Sequence, residues 1–369
     1  MTSPQSLWPK WLPIREDLKS LSPYGAPQIS GVLHLNTNEN PFPLPHPVVE
    51  AISERINERI ANLNRYPDRD ALLLREKLAS YINSLSHTKF AKENIWAANG
   101  SNEVLQTLLL ACGGPTSLAL GFTPSYSVHP LIAQITATPW IAGFREPSFS
   151  LDIDAAVAKI VETNPRLVFI TTPNNPTGNV LLLADILIIA EAATSIDALL
   201  VVDEAYQEFS NEDSAVTLIS QFPNLVVTRT MSKAFAFAGA RVGYLVASPE
   251  VIDAMFITRL PYHLSSLTQA AAEAALDNKE LLQAEVQFLI SERQRMTSVM
   301  TKAGFLVVDS QANFLLFSGF PQPSADTWKY FLDRGILIRD VGLAGFLRVT
   351  IGTVAENESF LTELLKLRP

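Results

Sequence analysis

Apolar residues along this chain recur at two periods, and the periods take turns. Spacing near 3.6 residues predicts helices over Val48–Leu63, Asp70–Leu85 and Asn102–Cys112. Short β-rich runs at Ser117–Leu120, Thr138–Ala142, Leu167–Thr171, Ala198–Val202, Leu225–Thr228 and Gly243–Ala247 predict strands. Several of these runs are continuously apolar, as parallel strands covered on both faces are. Strand and helix in alternation from about residue 47 to 260 predict an α/β domain with a mainly parallel sheet between helices.

The pattern changes after Tyr262. Long helical periods cover Thr268–Leu276 and Leu281–Ala303. Strands are predicted at Phe305–Val308, Asn313–Phe317, Ile336–Arg339 and Leu347–Ile351, with helices near Ala325–Arg334 and Ala355–Leu367. Fewer crossovers here predict a smaller α+β domain over residues 263–369, beside a large domain over 41–262. Residues 1–40 are irregular and proline-rich. They cannot form a core alone, so they are expected to act as an arm and as part of the small domain.

Composition narrows the function. The 369 residues carry a net charge of −9 without basic clusters, which argues against nucleic acid as a main partner. A single cysteine excludes an intrachain disulfide framework and a cysteine-rich metal site. The five histidines (His34, His46, His87, His129, His263) show no metal-binding spacing, so no metal is expected. The greasiest window, Val180–Ala193, is broken by Asp185 and Glu191 and reads as a buried helix rather than a membrane span. No secretory signal precedes it, and a cytoplasmic protein is expected.

In open α/β sheets ligands sit at the carboxyl ends of the strands, so the polar residues there matter most. Leu167–Thr172 runs into Pro173–Gly178 (PNNPTG), and Ala198–Val202 into Asp203–Tyr206 (DEAY). Leu225–Thr228 runs into Arg229–Phe235 (RTMSKAF), with Arg241 beyond it. Taken singly these are a turn, a helix cap and a surface lysine. Their order after three apolar strands is what carries information.

That order resembles the pyridoxal-phosphate-dependent aminotransferases of fold type I, and within them the histidinol-phosphate aminotransferase group. Further matches are Leu35–Pro41 (LNTNENP), Asn64–Asp68 (NRYPD), Gly100–Glu103 (GSNE), Ile338–Asp340 and Leu347–Thr350. The resemblance implies a large domain with a mainly parallel seven-stranded sheet plus a smaller α+β domain. It implies pyridoxal 5′-phosphate as cofactor and Lys233 as the residue forming the Schiff base and shuttling the proton. Asp203 would pair with the pyridine nitrogen, and Asn175 and Tyr206 with the ring hydroxyl oxygen. Gly100, Ser101, Asn102, Ser232 and Arg241 would cradle the phosphate, joined by Tyr66 from a neighbouring subunit. Arg348 would grip the α-carboxylate, while Arg339, Tyr24 and Asn38 line the substrate end. Relatives often stack an aromatic ring on the cofactor; here Pro124–His129 (PSYSVH) leaves Tyr126 and His129 both open for that place.

The implied reaction converts histidinol phosphate and 2-oxoglutarate to imidazole acetol phosphate and glutamate, a step of histidine biosynthesis, on a homodimer. A phenylalanine-type aromatic aminotransferase shares nearly every motif. A decarboxylase using the same cofactor, or a non-catalytic cofactor-binding module, would share the fold. The partners expected are small molecules and a second copy of the chain, with neither nucleic acid nor membrane.

Overall fold

The computed structural model describes residues 8–23 and 25–368. The helices are α1 (His46–Ile60), α2 (Leu72–Ser86), α3 (Ser101–Cys112), α4 (Val128–Ile135), α5 (Ile153–Thr163) and α6 (Leu183–Ser195). They continue as α7 (Pro249–Thr258), α8 (Ser266–Asp277), α9 (Lys279–Lys302), α10 (Ser324–Leu332) and α11 (Val354–Leu364). The strands are β1 (Leu33–His34), β2 (Ile95–Ala98), β3 (Ala119–Thr123), β4 (Trp140–Phe144), β5 (Leu167–Thr171) and β6 (Leu199–Asp203). After them come β7 (Leu225–Thr230), β8 (Gly243–Val246), β9 (Leu306–Val307), β10 (Phe314–Ser318), β11 (Ile336–Leu337) and β12 (Leu347–Thr350).

Seven strands form one sheet in the order β2-β8-β7-β6-β5-β3-β4. The run from β7 to β4 is parallel, and β8 is antiparallel to both its neighbours. Alternate strand residues divide the sheet between two cores. Val168, Ile170, Leu200 and Val202 pack with α5 and α6 on one face. Leu167, Phe169 and Val201 pack with α3, α4 and α7 on the other. Burial on both faces explains why these strands read as unbroken apolar runs.

Helices α4, α5 and α7 and strand β2 lie outside the elements that apolar periodicity predicts. Their starts are set by other means. Asp152 caps α5 by accepting from the Ala155 amide at 3.0 Å. Pro249 opens α7, where its missing N–H costs nothing. Strand β2 is a four-residue edge element paired only with β8.

A three-stranded sheet, β12-β10-β9, and a two-stranded parallel pair, β1-β11, complete the chain. The pair β1-β11 brings residues 33–34 against residues 336–337. The arm is stitched further by Leu35 N–H donating to the Leu337 carbonyl and Thr350 N–H to that of Leu35, both at 2.9 Å. This threading delivers residues 36–39 to the carboxyl end of the large sheet. Earlier in the arm, Arg15 donates to the Gln134 and Ile135 carbonyls at the end of α4. Helix α8 packs back on α1 and α2, with Arg55 bonded to Glu273 and Asp277.

Candidate active site

Parallel strands end their backbone ladders on one side of the sheet, and the ends of β5, β6 and β7 open there onto one cavity of about 400 Å³. Its walls include Asn175 after β5, Asp203 and Tyr206 at the end of β6, and Ser232 and Lys233 after β7. Ser101, Asn102, Tyr126, Asn38, Arg241, Arg339 and Arg348 line the same space. The polar residues picked at the strand ends thus converge on one cavity.

Lys233 Nζ donates to the Thr37 carbonyl at 2.9 Å and lies 6.0 Å from the centre of the Tyr206 ring. Burial pushes its pKa down to about 8; Arg348 and Arg241 add to the shift and Glu39 opposes it. A lysine tuned this way can lose its proton near neutral pH. An unfolded lysine titrates near ~10.4. Between pH 8 and that value the unfolded chain holds the extra proton, so stability rises with pH there; below 8 the full cost of the buried ammonium remains. Cofactor-free Lys233→Met is therefore expected to melt roughly 2–5 °C above the wild type at pH 7. The gap should close as pH climbs above 8 in a calorimetric series. A gap independent of pH would contradict a destabilised ammonium.

Asp203 is buried and held from two directions. Its Oδ1 accepts from the Ala205 amide at 3.2 Å, and its Oδ2 lies 2.9 Å from His129 Nε2. His129, 3 % exposed, sits behind this carboxylate and is not among the residues lining the cavity. Tyr126 does line it, edge-on to His129 at 5.3 Å and with its hydroxyl 3.3 Å from Asn102 Oδ1. Of the two rings open to the stacking place, the cavity meets Tyr126.

An anion cradle lies at the start of α3. The first amides of a helix have no acceptor within it and point outward with the positive end of the dipole. Gly100 precedes them at φ +85°, and a Cβ there would stand 2.5 Å from Arg241 Nη2. Arg241 Nη1 also reaches Ser232 Oγ at 3.4 Å, which accepts from Thr230 Oγ1 at 3.0 Å. Gly243, on β8, is equally constrained, since a Cβ would collide with the Ser101 amide. Sequence reasoning did not single it out, although a glycine inside a strand signals a close approach of backbone. Amides, a hydroxyl and a guanidinium gathered here fit a phosphate dianion. With Asp203 and Lys233 across the cavity, the set fits a phosphorylated pyridine aldehyde such as pyridoxal 5′-phosphate.

The opposite wall is basic. Arg348 Nη1 donates to Asn175 Oδ1 at 2.6 Å and Nη2 to the Asn36 carbonyl at 2.8 Å. Arg339 and Arg348 face each other across an antiparallel bridge, each amide donating to the other's carbonyl at 2.9 Å. No carboxylate pairs with Arg339 among the described residues. Asn38 donates from Nδ2 to the Tyr206 hydroxyl at 2.9 Å and accepts at Oδ1 from Thr350 at 3.1 Å. The carbonyls of Asn36 and Thr37 were invisible in sequence, because a backbone acceptor carries no residue-type signal.

Two residues stand apart from this group. Tyr24 lies outside the described residues. Tyr66, 79 % exposed, stacks on Tyr262 with ring centres 4.3 Å apart and does not line the cavity of its own chain.

A family model for aminotransferase class I and II matches residues 30–364. A histidinol-phosphate aminotransferase of Mycobacterium sp. (strain JLS) is 53% identical over 357 residues, covering 96% of this chain and 94% of that protein. Among solved structures, the histidinol-phosphate aminotransferase from Clostridium acetobutylicum is similar with a TM-score of 0.81 at 24% identity. The match covers 91% of this chain and 99% of that one. The corresponding protein from Sinorhizobium meliloti, in complex with pyridoxal-5′-phosphate, gives 0.80 at 23% identity over 91% and 90% of the two chains. At such identities the structural likeness speaks for the fold, while the curated relative and the family model speak for the activity. The chain belongs to the aminotransferase class I and II family and is a pyridoxal-phosphate-dependent aminotransferase of fold type I.

Proposed function

We propose that this enzyme transfers the amino group of histidinol phosphate to 2-oxoglutarate, the aminotransfer step of histidine biosynthesis. The observation that carries this reading is the pairing of Arg339 with Arg348 in one cavity wall, opposite the separate cradle at α3. One arginine suffices for a carboxylate. A second, with no acidic partner among the described residues, suits a substrate that brings its own phosphate. The name and 53% identity of the mycobacterial relative support the same choice.

Pyridoxal phosphate, when bound, supplies the electron sink that lets a proton leave the carbon bearing the amine. Lys233 would hold the cofactor through its carbonyl carbon and, once freed, would carry the proton at its Nζ. Its depressed pKa suits that work. Asp203 would keep the ring nitrogen protonated, with His129 holding the carboxylate in place. Asn175 and Tyr206 would bond the ring hydroxyl oxygen, and Tyr126 would cover the ring. Ser101, Asn102, Ser232 and Arg241 would take the cofactor phosphate. Arg348, fixed by Asn175 and Asn36, grips the α-carboxylate of glutamate and 2-oxoglutarate. Arg339 would take the substrate phosphate, with Asn38 of the arm lining the same cavity; the resemblance assigns Tyr24 to that end as well.

The working unit in this reading is a cytoplasmic homodimer in which Tyr66 reaches the cofactor phosphate of the second copy. Support comes from exposed apolar residues just before its stacking partner Tyr262 in the chain, Ile257 at 84 % and Leu260 at 77 % exposed. The chain is taken to divide into an arm over 1–40, a large domain over 41–262 and a small domain over 263–369. Steady-state kinetics with both donors test the substrate. kcat/KM for histidinol phosphate should exceed that for phenylalanine by about 10²-fold or more, the discrimination a site built around a polar group achieves. Comparable values would overturn the assignment in favour of an aromatic aminotransferase.

A further inference from the structure

The chain carries a second charged cluster, buried at the ends of β6 and β7 and untouched by the mechanism above. Arg229 stands four residues before Lys233, and Glu204 directly follows Asp203. Strands β6 and β7 pair up to Asp203 opposite Thr228, and their last backbone bond runs from the Glu204 amide to the Thr228 carbonyl at 2.9 Å. Side chains continue the connection where that ladder stops. Arg229 Nε and Nη2 reach Glu204 Oε2 at 2.9 and 2.8 Å, and Nη1 reaches Glu208 Oε1 at 3.0 Å. Nη2 also donates to Ser214 Oγ at 3.0 Å. Glu204 is satisfied in turn by the Ser214 hydroxyl and the Ala215 amide, each at 2.7 Å. The Arg229 and Glu204 side chains are 1 % and 0 % exposed.

We propose that Arg229 is a positioning residue: its guanidinium locks the ends of β6 and β7 together and thereby sets the distance from Asp203 to Lys233. The inference rests on the proposed function, in which those two residues would hold the ring nitrogen and the carbonyl carbon of the cofactor. A buried ion pair adds little net stability over well-packed apolar residues, because desolvation offsets the attraction. What it does supply is direction. A planar fork reaching three acceptors fixes Glu204, Glu208 and Ser214 relative to β7, and a lysine's point charge cannot. Glu204 pulled one way leaves its neighbour Asp203 facing the cavity, while Arg229 anchors the turn that presents Ser232 and Lys233.

Arg229→Lys and Glu208→Gln holoenzymes test this against wild type. Three quantities are read: the pH midpoint of the visible absorbance, the rate of cofactor release into an excess of cofactor-free trap protein, and the melting temperature without cofactor. Arg229→Lys should release cofactor at least about tenfold faster, as loss of a supporting partner does at bound groups. Its absorbance midpoint should move by at least about half a pH unit, since the lysine's neighbours shift with it. Glu208→Gln should move both in the same direction by less. A lowered melting temperature with release and midpoint within about twofold and about 0.1 unit of wild type would reduce Arg229 to a packing role and overturn the proposal. Should Arg229→Lys fail to fold, unchanged release and midpoint in Glu208→Gln would overturn it, and faster release would sustain it. Borohydride reduction of the wild type, with the labelled peptide mapped, separates this from the parent reading. A label absent from Lys233 sinks both; a label on Lys233 beside unaltered variants sinks only the positioning role.

Discussion

Lys233→Ala is expected to lower kcat by about 10⁴-fold or more, because the proposed mechanism gives one side chain two tasks. It would hold the cofactor until substrate arrives, and then move the proton on which the exchange of amine for carbonyl depends. No neighbour can take over. The nearest cationic groups lining the cavity, Arg241, Arg339 and Arg348, are arginines that keep their protons throughout the working pH range. Tyr206 lies beneath the lysine but is buried, and Asn38 already bonds its hydroxyl. The variant should keep its fold, since Lys233 contributes one hydrogen bond to Thr37 and no ion pair among the described residues. Absorbance in the visible, single-turnover kinetics and borohydride labelling check the result together. Normal turnover by the alanine variant would overturn the assignment of the whole site.

Legibility of this site in sequence followed a physical rule. Residues whose polar side chains line the cavity were visible, because a lysine, an aspartate or an arginine after an apolar strand has few structural reasons to be there. Residues that work by holding those side chains were not. His129 illustrates the difference: sequence placed it beside Tyr126 as a ring that could cover the cofactor, yet it lies behind Asp203 as a hydrogen-bond partner. Tyr126 precedes helix α4 and lines the cavity, whereas His129 lies in its first turn against Asp203, and the periodicity of that short segment did not mark it as a helix. Arg229 and Glu204 stood inside quoted motifs without drawing notice, since only the pairing of β6 with β7 brings them together. The fold was legible where both faces of the sheet are covered, at β5, β6 and β7, and less so at its edge, where β2 needs only one partner. Tyr66 lies at the limit of a single chain, because in the proposed dimer the cavity it would serve belongs to another copy.

Asp203→Asn should be the second most damaging change, lowering kcat by about 10²–10³-fold while leaving cofactor bound. In the proposed mechanism the carboxylate serves the ring nitrogen through its charge, which would make retention of a proton there favourable; an amide of the same shape offers no such charge. The surroundings accentuate the loss. Asp203 is 3 % exposed, so water cannot stand in for the missing anion, and the interaction acts where screening is weak. His129 and the Ala205 amide hold the carboxylate in a single orientation, so its placement costs nothing at the moment of reaction. Cofactor retention follows from the independence of the phosphate cradle at α3, which Asp203 does not touch. The measurement is kcat for the variant loaded with ordinary cofactor and with an analogue methylated on the ring nitrogen. A permanent positive charge removes the need for the carboxylate's help, so the analogue should close part of the gap in the variant and none in the wild type. Equal deficits with both cofactors would mean that Asp203 acts by shape alone, and its charge would then have no place in the mechanism.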